Sequence, residues 1–444
     1  MKYETQKIAY NYFLIATLLF GLQVVFGLIT GAKYVWDHDP LINILPFNVS
    51  REIHINLLVV WLLFGFMGGT YYLVPEESET EIYSPGLANF QLVLFALIGV
   101  TAIVGYIFRW SWGMPFLEQP TILKIGIVIV ALIFLFNILM TMLKTRKWTV
   151  IQGVLLGGLV MLALLFLFGI FFMKNLTEQY YYWWWVIHLW VEGAWELVTG
   201  AIMAFVLLKL TGVERELVEK WLYVETGLVL FTGIVGTGHH YYWIGTPHYW
   251  LWVGGIFSAL EPLPILFMVI DTLRDVREKK IEIENKTAVY WAIGCAVMHF
   301  FGAGVWGFAH TLPQINKWTH GTQITASHGH FAFFGAYAML NLTVIYFAVP
   351  RIKGVKLVRN GLSLMALRTM TFSMILIALS LAVAGIVQVY LQRVLGMDYL
   401  TVQGFMKLWY AVFWASAWGF AIGAFMYIVD FFRLSSTTSA RAQQ

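Results

Sequence analysis

The chain has 444 residues, 60% of them hydrophobic and 12% charged, with a formal net charge of +4 and a mean hydropathy of +0.74. So apolar a composition excludes an ordinary soluble domain, and the small net charge gives no reason to expect a nucleic-acid partner. The chain reads as an all-α polytopic protein of the lipid bilayer.

Apolar runs of about 20 residues, enough to cross a hydrocarbon core of ~30 Å, predict twelve transmembrane helices in one domain covering 1–444. They lie near 10–31, 52–74, 89–108, 121–143, 150–173, 181–209, 219–238, 248–272, 287–309, 322–349, 366–391 and 402–432. The first has no small-residue cleavage site after it and reads as a retained helix. With a cytoplasmic N-terminus, 20 of the 28 Lys and Arg fall in inner loops, termini and adjoining helix ends. The positive-inside rule then places both termini in the cytoplasm of a bacterial-type inner membrane. The acidic loop Glu76–Glu81 falls on the same side, and the tail from about Ser435 reads as disordered. Cys295 is the only cysteine, which excludes internal disulfides, iron–sulfur clusters and a Cys-x-x-Cys-His attachment of haem c.

Histidines then collect at one end of the spans. His54 begins the second, His188 the sixth and His328 and His330 the tenth, while His239 and His240 end the seventh. All four ends face outside, and ionisable groups within apolar helices are costly enough to signal function. His188 and Glu192, four residues apart, project from one helix face. With His239 and His240 they make a set of imidazoles and a carboxylate that suits non-haem Fe(II), with zinc and manganese left open by ligand type. Glu196, one turn on, stands behind it. His328 and His330 point about 200° apart, so they cannot easily hold one metal but can serve two haems, one completed by His54 and saturated, the other left open beside the non-haem ion. Glycines in Gly65–Gly69 and at Gly329 and Gly335 could admit flat macrocycles or serve ordinary helix packing.

Other polar positions carry plainer expectations. His299 reads as a hydrogen-bonded packing residue; His38, His248, His310 and His320 read as interfacial; Tyr180–Trp185, three tyrosines followed by three tryptophans, reads as an aromatic belt. Glu225 and Asp271 lie near inner helix ends and read as surface groups, leaving no acidic file through the inner half. Protons are therefore expected from the outer side, without pumping.

The segments 188–196 (HLWVEGAWE), 236–245 (GTGHHYYWIG) and 320–330 (HGTQITASHGH), with Glu261, resemble over nearly the full chain the catalytic subunit of cytochrome c-dependent nitric oxide reductases, a branch of the haem–copper oxidase superfamily. The resemblance implies a haem–copper oxidase subunit I-like fold, low-spin haem b on His54 and His330, and haem b3 on His328. It implies non-haem iron on His188, Glu192, His239 and His240, with Glu196 and Glu261 handling protons. The implied reaction is 2 NO + 2 e⁻ + 2 H⁺ → N₂O + H₂O. Glu192 stands where most oxygen reductases are expected to have a tyrosine, which argues against ordinary oxygen reduction. The family pattern also has a glutamate three residues before that of Phe-Leu-Glu-Gln-Pro, associated with a calcium ion between haem propionates. Pro115 stands there in this chain, leaving Glu118 as the candidate calcium ligand. Without a haem c motif or the long N-terminal extension of quinol-fed members, the chain is expected to pair with a membrane-anchored cytochrome c subunit. An oxygen reductase or NO-dismutating relative is the alternative within the superfamily, and a metal- or proton-coupled transporter the alternative outside it.

Overall fold

Helices account for all the regular structure in the computed structural model, which describes residues 1–36, 38–145, 148–258, 263–355 and 361–436, with side chains to Leu434. Among the described residues, eleven helices are long and apolar enough to cross a bilayer. They are α1 (Glu4–Ala32), α2 (Phe47–Glu77), α3 (Pro85–Ile107), α4 (Thr121–Met142), α5 (Val150–Gly169), α6 (Leu176–Thr211), α7 (Arg215–Tyr241), α10 (Lys286–Thr311), α12 (Gln323–Lys353), α13 (Gly361–Val394) and α14 (Tyr399–Leu434). The remaining expected span is represented by α8 (Tyr249–Phe257) and α9 (Leu263–Glu278), with 259–262 between them outside the described residues. Glu261 therefore lies outside them, as do Arg146, Lys147, Lys356, Arg359 and the tail from 437. A short helix, α11 (Pro313–Thr319), precedes α12.

Local chemistry sets the helix ends. Ser84 accepts a bond from the Leu87 N–H just before Pro85 opens α3, Thr149 and Gln152 form a capping box at α5, and Asn175 caps α6 through the Thr177 and Glu178 amides. Each side chain satisfies amides that the helix itself leaves unbonded. Gly212, at φ 69°, ends α6 in the left-handed conformation that only glycine adopts cheaply.

Burial separates central from peripheral helices. In α2, α6 and α12, 83%, 83% and 89% of the most apolar stretch is inside the protein, against 28% in α3. The glycine run on α2 explains part of this: a Cβ on Gly65 would stand 2.1 Å from Asn341 Oδ1 and one on Gly68 2.7 Å from the Phe13 ring. A Cβ on Gly335 would meet the Met298 backbone at 2.5 Å. These three serve close helix packing. Gly329 has open space beside it, so only this glycine fits the roomier reading.

The start of α1 and the end of α14 share one end of the bundle. Tyr10 stacks on Phe431 at 6.0 Å and Lys353 lies 3.8 Å over the Tyr10 ring. The acidic loop is tied down there: Arg215 grips Glu77 through two bonds of 2.9 and 3.0 Å, Lys209 pairs with Glu76 at 2.7 Å, and Glu81 accepts the Glu4 and Thr5 amides at 2.9 Å each. The histidine-bearing helix ends lie at the opposite end.

Candidate metal centre

Two departures from α geometry build the metal-facing surface. In α6 the turn Trp190–Trp195 is π-helical and Glu192 leaves helical dihedrals, at φ −94° and ψ 25°. In α7 a π turn, Val229–Gly233, runs through a short α segment into a 3₁₀ turn, Thr237–Tyr241, that carries both histidines. Such changes of pitch free backbone carbonyls and re-aim side chains, and they concentrate at functional sites. The Gly233 carbonyl accepts the His188 Nε2–H at 2.9 Å, leaving the Nδ1 lone pair to face the cluster. Ser258 donates to the Gly254 carbonyl at 2.6 Å and accepts the His239 Nδ1–H at 2.8 Å, leaving His239 Nε2 to face inward. Its helix α8 comes this close because a Cβ on Gly254 would stand 2.3 Å from the His239 nitrogen. The third imidazole, His240, is clamped by Trp184, whose ring lies 3.5 Å away and within 12° of parallel.

Four donor atoms result, one each from His188, Glu192, His239 and His240, all within 4.8 Å of one another. His240 Nε2 lies 3.0 Å from His239 Nε2 and 3.1 Å from His188 Nδ1, and that same Nδ1 is 3.6 Å from Glu192 Oε2. With His239 Nε2 and His188 Nδ1 both left as acceptors, such distances suit a proton on His240 Nε2 or a cation held among the four groups. Outward nitrogens tied to protein acceptors are the support that metal-binding imidazoles require. The residues present thus fit a metal ion, and the arrangement joins the four positions that the sequence reading grouped.

The remaining three histidines share one pattern. His54 Nδ1–H donates to the Gln23 carbonyl at 2.9 Å, His330 Nδ1–H to Ala326 at 2.8 Å and His328 Nδ1–H to Gly302 at 3.1 Å, which leaves the lone pair of each ring on Nε2; the Gln23 side-chain amide also lies 3.5 Å from His54 Nε2. The His54 and His330 rings face each other with centroids 6.4 Å apart and 28° from parallel. A separation of that size leaves room for one ion bound to both imidazoles, with metal–nitrogen bonds of about 2.0–2.1 Å. Glycine makes room for two of the rings, since a Cβ on Gly27 would stand 2.8 Å from His54 Cε1 and one on Gly307 2.9 Å from His328 Cε1. His328 and His330, two residues apart on α12, bond different carbonyls, Gly302 of α10 and Ala326 of α12.

Several polar positions depart from expectation. His299 is buried, but both its ring nitrogens lack a hydrogen-bond partner among the described residues; its Nε2 lies 4.0 Å from Glu196 Oε1. Glu225 is no surface group: it is 1% exposed, its carboxyl lying against Gly200 of α6. Asp271 does bridge at the surface, accepting from Lys220 at 3.0 Å and Trp221 at 2.8 Å. Half-buried His310 is bonded to Thr319 and Thr325 at 2.9 and 3.1 Å, and its ring centroid lies 6.2 Å from that of His328. The aromatic run is only in part a belt: Trp185 is exposed, whereas Trp184 clamps His240 and the Trp183 N–H donates to the Pro115 carbonyl at 2.9 Å. Glu118 is buried. Its Oε2 accepts from Asn56 at 2.9 Å, and its Oε1 has no partner among the described residues.

Residues 7–422 match the family model described as cytochrome C and quinol oxidase polypeptide I. The chain belongs to that family. A solved haem–copper terminal oxidase dimer has the same fold, with a TM-score of 0.73 over 97% of this chain and 84% of its own at 13% identity. A nitric oxide reductase subunit of Stutzerimonas stutzeri is 49% identical over 453 residues, 97% of this chain and 95% of its own. Within the oxidase polypeptide I family the chain therefore groups with the nitric oxide reductases, and the transporter reading loses its support.

Proposed function

We propose that this chain is the catalytic subunit of a nitric oxide reductase, which joins two NO molecules and two protons with two electrons to give N₂O and water. The observation that carries the reading is the carboxylate in the cluster: Glu192 stands with His188, His239 and His240, a donor set that suits non-haem iron better than copper. The 49% identical reductase subunit supports it. His54 and His330 would hold the low-spin haem b, His328 the haem b3, and the four-residue cluster the non-haem iron. The saturated haem would pass electrons on, and the open haem and the iron together would bind and reduce NO.

The chain's own residues do the rest. Gly233 and Ser258 fix the histidine tautomers, and Trp184 holds the His240 plane. Glu196, buried next to the cluster, takes and gives protons, together with Glu261. Glu118 offers Oε1 to a calcium ion; Pro115 contributes no side-chain oxygen, and its carbonyl is occupied by Trp183. A membrane-anchored cytochrome c subunit would deliver electrons on the outer side of the cytoplasmic membrane, with both termini of this chain inside. The first test is a haem and metal count on the complex purified from its native membrane. Two haems b and one non-haem iron per chain are expected, in company with a haem c subunit. Copper in place of iron, or an active lone chain fed by quinol, overturns the reading.

A further inference from the structure

Glu225 is the buried acid left without a task. It is 1% exposed, and neither carboxyl oxygen has a hydrogen-bond partner among the described residues. An anion so placed has nothing to offset its lost hydration, so the group is held as the neutral acid. Its seat is specific: a Cβ on Gly200 would lie 2.3 Å from Oε2, 2.4 Å from Oε1 and 2.5 Å from the carboxyl carbon. Only a residue with no side chain lets the carboxyl lie against α6 at this point.

Glu196 directly follows the π turn that carries Glu192, and Gly200 lies four residues beyond Glu196, one turn of α6 or about 5.4 Å farther from the metal cluster and toward the termini. The groups facing this file are few. From α10 comes His299, 4.0 Å from Glu196 and with both ring nitrogens unpartnered among the described residues. Glu196 is the ionisable neighbour of Glu225 along this file. The cations of α7 are engaged elsewhere, Arg215 with Glu77 and Glu219 and Lys220 with Asp271. On α9, Arg274 pairs with Glu278 and Asp275 with Lys279, and α5 carries no ionisable residue.

Resting on the NO-reducing role proposed above, we propose that Glu225 is a proton store for the metal centre, giving its proton to the Glu196–His299 pair when the reaction consumes one and recovering it between turnovers. The O–H bond of Glu225 breaks as an O–H bond to Glu196 forms. No electron moves in this step, and the proton ends in the product water. A water entering between the two carboxyls during turnover would carry the transfer. The store is a side pocket of a path that enters from the outer side.

The test uses the intact complex and infrared difference spectra between oxidised and reduced states, recorded without NO so that the outcome does not depend on the enzyme's substrate. Wild type should show a carboxylic-acid C=O band that shifts in D₂O; Glu225→Gln should lose it with haem and iron content unchanged. NO turnover of that variant should fall about tenfold at alkaline pH and recover toward acid, with KM for NO unaltered. Gly200→Ala leaves the acid in place but crowds it, and should move the band. The proposal is overturned if wild type has no such band, if Glu225→Gln retains it, if the band goes but turnover holds at every pH, or if Gly200→Ala leaves it unmoved.

Discussion

Substituting Ser258 by Ala removes one hydroxyl, which fixes a tautomer without touching the metal position. Ser258 uses its proton on the Gly254 carbonyl at 2.6 Å, so toward His239 Nδ1, at 2.8 Å, it acts as acceptor. Without it His239 can carry its proton on Nε2, facing His240 Nε2 3.0 Å away, where it blocks ligation. Loss of a partner of this kind lowers metal affinity about 10–100-fold, roughly 1.4–2.7 kcal/mol. The assay is iron retained by the purified complex against a graded chelator, with haem content from pyridine haemochrome spectra as the internal control. Ser258→Ala should release iron at about 10–100-fold lower chelator strength with both haems intact, and Ser258→Thr, which keeps the hydroxyl, should stay near wild type. Iron retention within twofold of wild type in the alanine variant, or equal losses in both variants, would refute the tautomer argument.

Glu192→Ala leaves three imidazoles and should lower iron occupancy and NO reduction while both haem spectra persist; His330→Ala should instead abolish the low-spin haem signal, and the optical spectrum separates the two. Burial holds the Glu118 carboxyl up at about 7 against an ordinary value of 4.5, with the Asn56 amide pulling the other way. The folded protein thus binds this proton more tightly than the unfolded chain, and the contribution to stability is present below about 4.5 and lost as pH rises through about 7. In chelator-treated protein Glu118→Gln should flatten that part of the Tm–pH curve, and an unchanged slope contradicts the assignment. In sealed vesicles with donor outside, turnover should alkalinise the outer medium without generating a membrane potential; proton uptake from the inner compartment would rule out outer-side supply.

The candidate ligands were legible because metal binding leaves short-range signatures: a His and a Glu one turn apart, two adjacent histidines, and two more with one glycine between them, all at helix ends on one side. Their supports were not. The carbonyls of Gly233, Gln23 and Gly302 belong to the backbone and carry no residue-type signal. The π turns at Trp190–Trp195 and Val229–Gly233 shift the register without altering the apolar pattern that defines a span. Glu225 looked superficial because Arg215, Glu216, Glu219 and Lys220 precede it on the same helix. Its burial depends on the approach of α7 to Gly200, a tertiary fact that neither helix encodes alone. Trp184 illustrates the same limit: an aromatic run at a helix start reads as a membrane belt, and only its neighbour His240 reveals the clamp.

Gas analysis tests the central claim most directly. Purified complex, kept free of oxygen and supplied with NO and reduced cytochrome c, should form one N₂O for every two NO consumed, with two electrons drawn from the donor. NO consumption with no N₂O, or formation of N₂ and O₂ without use of the donor, would contradict the account.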